Sequence, residues 1–196
     1  MIGILKTLIS MLVALVISSS VSSMSEVTPE DAADAFLHNL SAGDAQTAKI
    51  YMDNKYINFL ENVKGTNEEM DQLEDALFRN FSYEIKDSAS KNNVAVVEAE
   101  FRNCDFSGIM KDYEEESFEY VTENLYSDTV TDKEKLNKKC LDIYIDQIAD
   151  TAKEEPSMTT TVFIPMEADG YGGWHILLTD ETMEAALGEL ELPTSK

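Results

Sequence analysis

The clearest alternation of apolar and polar side chains runs through residues 159–180. It forms two strand patterns around a turn that contains three glycines. Pro165 lacks the N–H that a sheet ladder needs, so we expect the first strand to lie at an edge or to bulge there. The second strand carries Trp174, Ile176 and Leu178 on one face and His175 and Leu177 on the other. Because both of its faces are fairly apolar, we expect this strand to be central.

A second pair of strands is predicted over residues 81–102, with its turn between residues 88 and 93. Each strand has one apolar and one polar face, as in an antiparallel sheet that is covered on one side only. The apolar positions are Phe81, Tyr83, Ile85, Ala95, Val97, Ala99 and Phe101. Glu98 and Glu100 fall on the opposite, outer face, so no strand carboxylate has an obvious inward position.

Apolar residues at spacings of three and four predict helices before this strand pair. The first helix starts at Pro29, behind a Thr28 cap. Its apolar stripe is Ala32, Ala33, Phe36 and Leu40. A second helix is predicted after an Asp44 cap and a third over residues 56–63, and a capping box at 66–69 starts a fourth. The fourth is lined by Met70, Leu73, Leu77 and Phe78.

Residues 107–155 are predicted to form a helical pair with a break at 127–130. Met110, Tyr113, Val121 and Leu125 line the first helix of the pair. A capping box at 131–134 precedes the second helix, which is lined by Leu136, Cys140, Ile143, Tyr144 and Ile148. A last helix is expected over residues 181–189, capped by Thr179 or Asp180. This order of helices, hairpin, helical pair, hairpin and helix predicts an α+β fold.

The net charge and the absence of several motifs narrow the range of possible functions. The chain has 196 residues and a formal net charge of −23, which disfavours nucleic acid and anionic lipid as partners. It has only two histidines, His38 and His175, which excludes a histidine-rich metal site. It has no glycine-rich phosphate loop, no paired-cysteine motif and no serine nucleophile elbow. We therefore expect no cofactor, and we assign no catalytic residue and no metal ligand.

Residues 1–23 have the pattern of a secretory signal peptide. Lys6 is the single positive charge, residues 8–17 are apolar, and residues 18–23 are mostly small. The apolar run is shorter than the ~20 residues that span a bilayer. We expect a secreted or extracytoplasmic protein, with residues 24–196 as a single domain. The alternative is a protein tethered to the membrane through an uncleaved N-terminal segment.

Cys104 and Cys140 are the only cysteines. In an exported protein such a pair favours a disulfide, which would contribute roughly 3–4 kcal/mol by restricting the unfolded chain. The alternative is two small apolar side chains that never meet. The sequence leaves both interpretations open.

Two short segments resemble a known superfamily. Phe36 and Leu40, followed by Gly43, Asp44 and Ala48, resemble the opening helical hairpin of the nuclear transport factor two-like, or cystatin-like cone, superfamily. Residues 172–176, with the sequence Gly-Gly-Trp-His-Ile, are similar to a strand of its exported bacterial members. The middle section resembles exported lipoprotein-type domains of unknown function from Gram-positive bacteria. The lipidation cysteine expected of that group is absent, so no lipid anchor is evident.

The resemblance implies a curved antiparallel sheet of about four strands, wrapped by N-terminal helices around an apolar cavity. The helical pair, an insertion between the two hairpins, is expected to fill or cover that cavity. Trp174 is expected to face inward. The candidate cavity-lining residues are Phe36, Leu40, Tyr83, Trp174 and Ile176.

Three functions compete. The leading one is a non-catalytic, exported binding or interaction domain of the bacterial cell envelope, with a small apolar molecule or an envelope protein as partner. The second is a small isomerase- or hydrolase-type enzyme that uses a cavity carboxylate with a tyrosine or His175. The third is a structural surface protein held by an uncleaved leader. The acidic run at Asp112 and residues 114–116 is either a weak calcium site or, as we expect, a solvated helix face.

Overall fold

A computed structural model describes residues 27–42 and 67–191. The helices in these ranges are α1 (Pro29–Ser41), α2 (Asn67–Phe78), α3 (Ile109–Glu123), α4 (Asp128–Thr131), α5 (Lys133–Thr151) and α6 (Asp180–Ala186). The strands are β1 (Ser82–Lys91), β2 (Val94–Asn103), β3 (Met158–Ala168) and β4 (Trp174–Ile176). The predicted α+β order is confirmed. The predicted leader and the helices expected after Asp44 and over residues 56–63 lie outside the described residues.

The four strands form one open, curved antiparallel sheet in the order β1-β2-β3-β4. β1 turns into β2 through Asn92 and Asn93, and Asn92 takes a φ of 58°, which asparagine tolerates better than most residues. β2 and β3 pair without interruption over ten residues, from Val94 opposite Glu167 to Asn103 opposite Met158. β1 has a bulge between Ile85 and Asp87. The second hairpin therefore continues the sheet that the first one starts.

The predicted positions of the last two strands were wrong. β4 is the edge strand, and β3, which contains Pro165, lies between β2 and β4. The Pro165 carbonyl accepts a hydrogen bond from Leu177 N–H at 2.8 Å, so the proline nitrogen also faces the β4 side. Paired residues of β4 end at Ile176, so the missing N–H falls where the ladder is already ending. A strand with two fairly apolar faces can therefore lie at the edge of this sheet.

The core lies between the sheet and the helices on one of its faces. The inward positions predicted for β2 are confirmed, since Ala95, Val97, Ala99 and Phe101 are buried. On β3, Val162, Ile164 and Met166 are buried as well. Phe81 packs edge-on against Phe101, with the ring centroids 5.2 Å apart. Burying side chains of this size is the main favourable term in folding, at about 1.5–3 kcal/mol for each large apolar side chain.

The first helix begins as its sequence predicts. The Thr28 hydroxyl accepts a hydrogen bond from Asp31 N–H at 3.1 Å, and the Asp31 carboxylate accepts one from Thr28 N–H at 3.3 Å. This reciprocal capping box satisfies two backbone donors at the start of α1. All four residues of the predicted apolar stripe are buried, and α1 packs against β1, β2 and β4. Helix α1 therefore crosses the covered face of the sheet.

One buried asparagine ties the end of β2 to two helices. The Asn103 side chain is fully buried and donates to the Leu77 carbonyl at 3.1 Å and the Ala186 carbonyl at 2.9 Å. Both carbonyls lie at the C-terminal ends of their helices, where carbonyls lack intrahelical partners. The Asn103 Oδ1 accepts from the Cys104 N–H at 2.8 Å, so both ends of the amide are used.

The helical pair and the last helix differ from the prediction in detail. The break after α3 contains the single-turn helix α4, and Asp132 caps α5 through the N–H groups of Glu134 and Lys135. The expected cap at residue 131 was therefore wrong by one position. Helix α6 begins behind Thr179, as expected, but ends at Ala186. Gly188, at a φ of 59°, turns the chain there and accepts from Phe106 N–H at 2.8 Å.

Candidate functional site

The five predicted cavity-lining residues all lie in the core or against it. Phe36 and Leu40 on α1 and Ile176 on β4 are between 0 and 4 % exposed, so other side chains fill the space around them. Tyr83 and Trp174 are half-buried and pack against the same core from the two edge strands. The three buried members belong to the core cluster in which α1 packs against the sheet.

Trp174 lies on the helix-covered face, paired with Ala168 and on the same face as Ile176. Its indole Nε1 donates to the Val27 carbonyl at 3.2 Å, just before α1 begins. The tryptophan therefore fastens the edge strand to the start of the first helix. A buried indole N–H needs such a partner, and this contact supplies it.

Tyr83 on β1 contacts a carboxylate, as a tyrosine would in an acid–base pair. Its hydroxyl donates to Asp34 Oδ1 at 2.9 Å and lies 3.2 Å from the Asp34 carbonyl. Burial, with the hydrogen bond and the charge of Asp34, raises the pKa of Tyr83 well above its usual value. Asp34 itself is exposed on α1. The pair holds α1 against β1, and a tyrosine with a raised pKa is a weaker proton donor near neutral pH.

The other conspicuous tyrosines pack the helical pair. Tyr144 is buried, stacks edge-on against Tyr113 with centroids 5.5 Å apart, and donates to the Glu191 carbonyl at 2.6 Å. Burial, together with Tyr113 and Glu191, raises the pKa of Tyr144. The Lys139 Nζ lies over the ring of Tyr120, 5.5 Å from the ring centroid, in a cation–π contact. Tyr113 and Tyr144 thus pack as predicted from the helical stripes, whereas Tyr126 is 97 % exposed.

The two histidines lie on different elements, His38 on α1 and His175 on β4. His38 is exposed. His175 is half-buried on β4 opposite Glu167, and it faces away from the core. Burial tends to raise the pKa of nearby Asp169, but hydrogen bonds from Gly173 and Tyr171 N–H and the charge of His175 outweigh it and lower that pKa. The Asp169 carboxylate thereby organises the β3–β4 turn.

Cys104 and Cys140 are free thiols, so the candidate disulfide is not formed. Cys104 is buried after β2, where the Asn80 amide approaches its Sγ at 3.3 Å. Cys140 is half-buried on α5 beside Tyr113. The two side chains have different neighbours because the helical pair carries Cys140 away from the end of the sheet.

Two buried carboxylates on α2 were missed by the sequence analysis. Glu69 and Glu74 are 7 % and 3 % exposed, and Glu69 pairs with Lys138 on α5. The available signal was position: Glu74 lies three and four residues before Leu77 and Phe78, on the flank of the apolar stripe. The predicted acidic run on α3 is exposed. Across the described ranges, no three His, Cys, Asp or Glu side chains lie together as metal ligands would.

Several large apolar side chains are exposed instead of packed. On the outer face of the sheet these are Val94, Val96 and Phe163, the last of which is 58 % exposed. Beside them, Lys86 and Arg102 form ion pairs with Glu84 and Glu100. At α3 and the turn after it they are Phe118, Leu125 and Tyr126, at 75 %, 51 % and 97 % exposed. Leu125 was predicted to line the buried stripe, and that prediction was wrong.

These features define a small α+β domain with one packed and one open side of its sheet. A family model described as "Domain of unknown function (DUF5105)" matches residues 24–189, and the chain belongs to this family. No curated protein matches the sequence. Within residues 27–42 and 67–191, no helix has both the length and the apolar character needed to cross a bilayer.

A solved structure is also similar to this chain. It is a crystal structure described as a "putative lipoprotein" from Bacillus subtilis, with 21 % sequence identity and a TM-score of 0.46. The match covers 80 % of this chain and 46 % of the other, so this chain spans less than half the length of that protein.

Proposed function

We propose that this protein is a non-catalytic, extracytoplasmic interaction domain of the bacterial cell envelope. The observation that carries the proposal is the distribution of apolar side chains. Expected cavity residues such as Leu40 are packed in the core, whereas Phe118 and Phe163 are largely exposed. Contiguous exposed apolar groups rimmed by polar ones commonly mark contact surfaces. Recognition therefore takes place on the outside of the domain, and a protein is favoured over a small apolar molecule.

Export is supported by the sequence pattern of residues 1–23, which has the charged start, apolar middle and small-residue end of a signal peptide. The family match begins at residue 24, directly after that segment. The net charge of −23 favours solubility and keeps the domain away from anionic surfaces. An acidic, soluble domain outside the membrane fits an interaction role.

We further propose that the domain is a variant of the nuclear transport factor two-like architecture. Support comes from the curved antiparallel sheet, from α1 crossing its covered face and from Trp174 pointing to that face. In this variant the space beneath the sheet is occupied by side chains. A small-ligand role would require that packing to open.

In-cell photo-crosslinking tests the interaction role. A photoreactive phenylalanine analogue replaces Phe118, Phe163 or, as an exposed polar control, Thr161 of β3, in the full chain in a bacterial host that exports it. We expect discrete protein adducts from at least one of the two phenylalanine positions and none from Thr161. The absence of adducts from both would overturn the proposal, as would a tightly retained small molecule detected by native mass spectrometry.

A further inference from the structure

Helix α3 has one face that packs on the domain and one face that is exposed. Ile109, Tyr113 and Tyr120 turn toward the rest of the domain, and the helix packs chiefly on α5. Phe118 lies on the opposite side, and Leu125 is exposed in the turn just beyond the C-terminal end of the helix. With Tyr126 they form an exposed apolar strip, which we name the α3 ridge.

A column of acids runs beside the α3 ridge. Glu115, Glu119 and Glu123 recur every four residues, so their side chains share one exposed face of the helix. The helix contains six acidic residues and one lysine, a net charge of −5 over 15 residues. Among the described residues, these three glutamates form no ion pair. The column therefore leaves negative charge available beside an apolar strip.

We propose that this face of α3 docks a basic amphipathic polypeptide segment, with its apolar residues on the ridge and its lysines or arginines along the acid column. The inference rests on the proposed interaction function and specifies its partner. Charge complementarity selects this occupant. A second copy of the chain, itself at −23, would bring two acid columns together, and an anionic membrane would be repelled in the same way. A purely cationic polymer would leave the apolar strip exposed.

Binding in this mode draws on both parts of the surface. The aromatic anchor Phe118 loses its water on docking, which makes it the expected hot spot. The charges of the acids accelerate association, and added salt weakens their attraction for the partner, as it does for exposed charges in general. Loss of either part should therefore weaken binding, and only loss of the acids should change its salt dependence.

The test uses a fluorescent, helical peptide of lysine and leucine of about 15 residues, the length of α3. Its affinity for purified protein is measured by anisotropy at several salt concentrations. The charge variant is Glu115→Gln, Glu119→Gln and Glu123→Gln together. Its control, Asp71→Asn, Glu154→Gln and Glu155→Gln, removes the same charge from other exposed positions. The apolar variant is Phe118→Asn, matched by Phe163→Asn on the outer sheet face.

We expect the Kd of the charge variant for the peptide to be about 10-fold higher than that of the wild type and to depend less on salt. The Kd of its control should rise about 2-fold or less. Phe118→Asn should raise Kd about 10-fold at every salt concentration, and Phe163→Asn should have little effect. Equal effects of each variant and its control would mean nonspecific attraction and would overturn the proposal. Self-association in sedimentation that Phe118→Asn abolishes would identify a second copy as the occupant, and would also overturn it.

The crosslinking experiment separates this inference from the function on which it rests. Adducts from position 163 but not from position 118 would leave the interaction role standing and reject the α3 ridge. Adducts from position 118 to proteins without a basic amphipathic segment would also reject it. No adducts from either position would reject the interaction role itself.

Discussion

Replacing Asn103 by alanine tests how strongly one buried amide joins the sheet to its helices. The substitution removes three hydrogen bonds. The Asn103 amide donates to the carbonyls of Leu77 and Ala186, and its oxygen accepts from the Cys104 N–H. A net hydrogen bond contributes about 1 kcal/mol, and a buried group left without a partner costs about 1–3 kcal/mol. We therefore expect the free energy of unfolding to fall by about 3–5 kcal/mol.

Urea unfolding followed by the fluorescence of the single tryptophan, Trp174, measures this loss. The midpoint should fall by about 1–3 M urea. Asn93→Ala is the control, since Asn93 is exposed in the β1–β2 turn, and it should change stability by about 0.5 kcal/mol or less. An Asn103→Ala protein as stable as the Asn93→Ala protein would refute the assigned role.

Asn103→Asp provides a second, pH-dependent readout at the same site. The new carboxylate would face two carbonyls in a buried position, so its folded pKa should rise above that of the unfolded chain. A raised folded pKa means that stability is retained in acid and lost as pH rises through that value. The variant should therefore be more destabilised near neutral pH than in mild acid. A pH-independent loss would show that the amide's donors are not facing the two carbonyls.

Three further predictions use the same unfolding assay or simple chemistry. Gly188→Ala should destabilise by about 2–4 kcal/mol, because its Cβ would lie 2.2 Å from the Cys104 carbonyl oxygen at a positive φ; a neutral effect would contradict the close approach. Burial raises the pKa of Tyr144 in the folded protein above its unfolded value, so the stability of the wild type should fall as pH rises beyond about 10. Tyr144→Phe should reduce that fall, and equal falls in stability for the variant and the wild type would contradict the raised pKa. Alkylation without reductant should label both thiols after denaturation and label Cys140 before Cys104 in the native protein, whereas a disulfide would leave both unlabelled.

The proposed interaction role rests on the surface of this domain and not on its interior. Two of the residues expected to line a cavity connect α1 to the edges of the sheet, Trp174 on β4 and Tyr83 on β1. The exposed phenylalanines have no such packing role. A hydrophobic side chain left in water lowers solubility without stabilising the fold, which is why we assign partner binding to the outside of the domain.

Local patterns in the sequence determined the elements and their inward faces. The alternation at Ala95, Val97 and Ala99 identified the buried face of β2, because side chains of a strand point alternately to its two sides. Thr28 and Pro29 located the start of α1, because the cap and the fixed proline φ act within one turn. Such signals depend only on near neighbours, so they can be interpreted without the fold.

Only the tertiary structure decided which elements became neighbours and which apolar faces were covered. β4 lies at the edge although both of its faces are fairly apolar, because β3 is the one strand of the described residues that pairs with it. Phe118 and Leu125 have the spacing of a buried stripe, but α3 meets α5 through a different face. Glu74 is polar yet buried. Spacing places side chains on a common face, but contacts between residues distant in sequence decide whether that face meets protein or water.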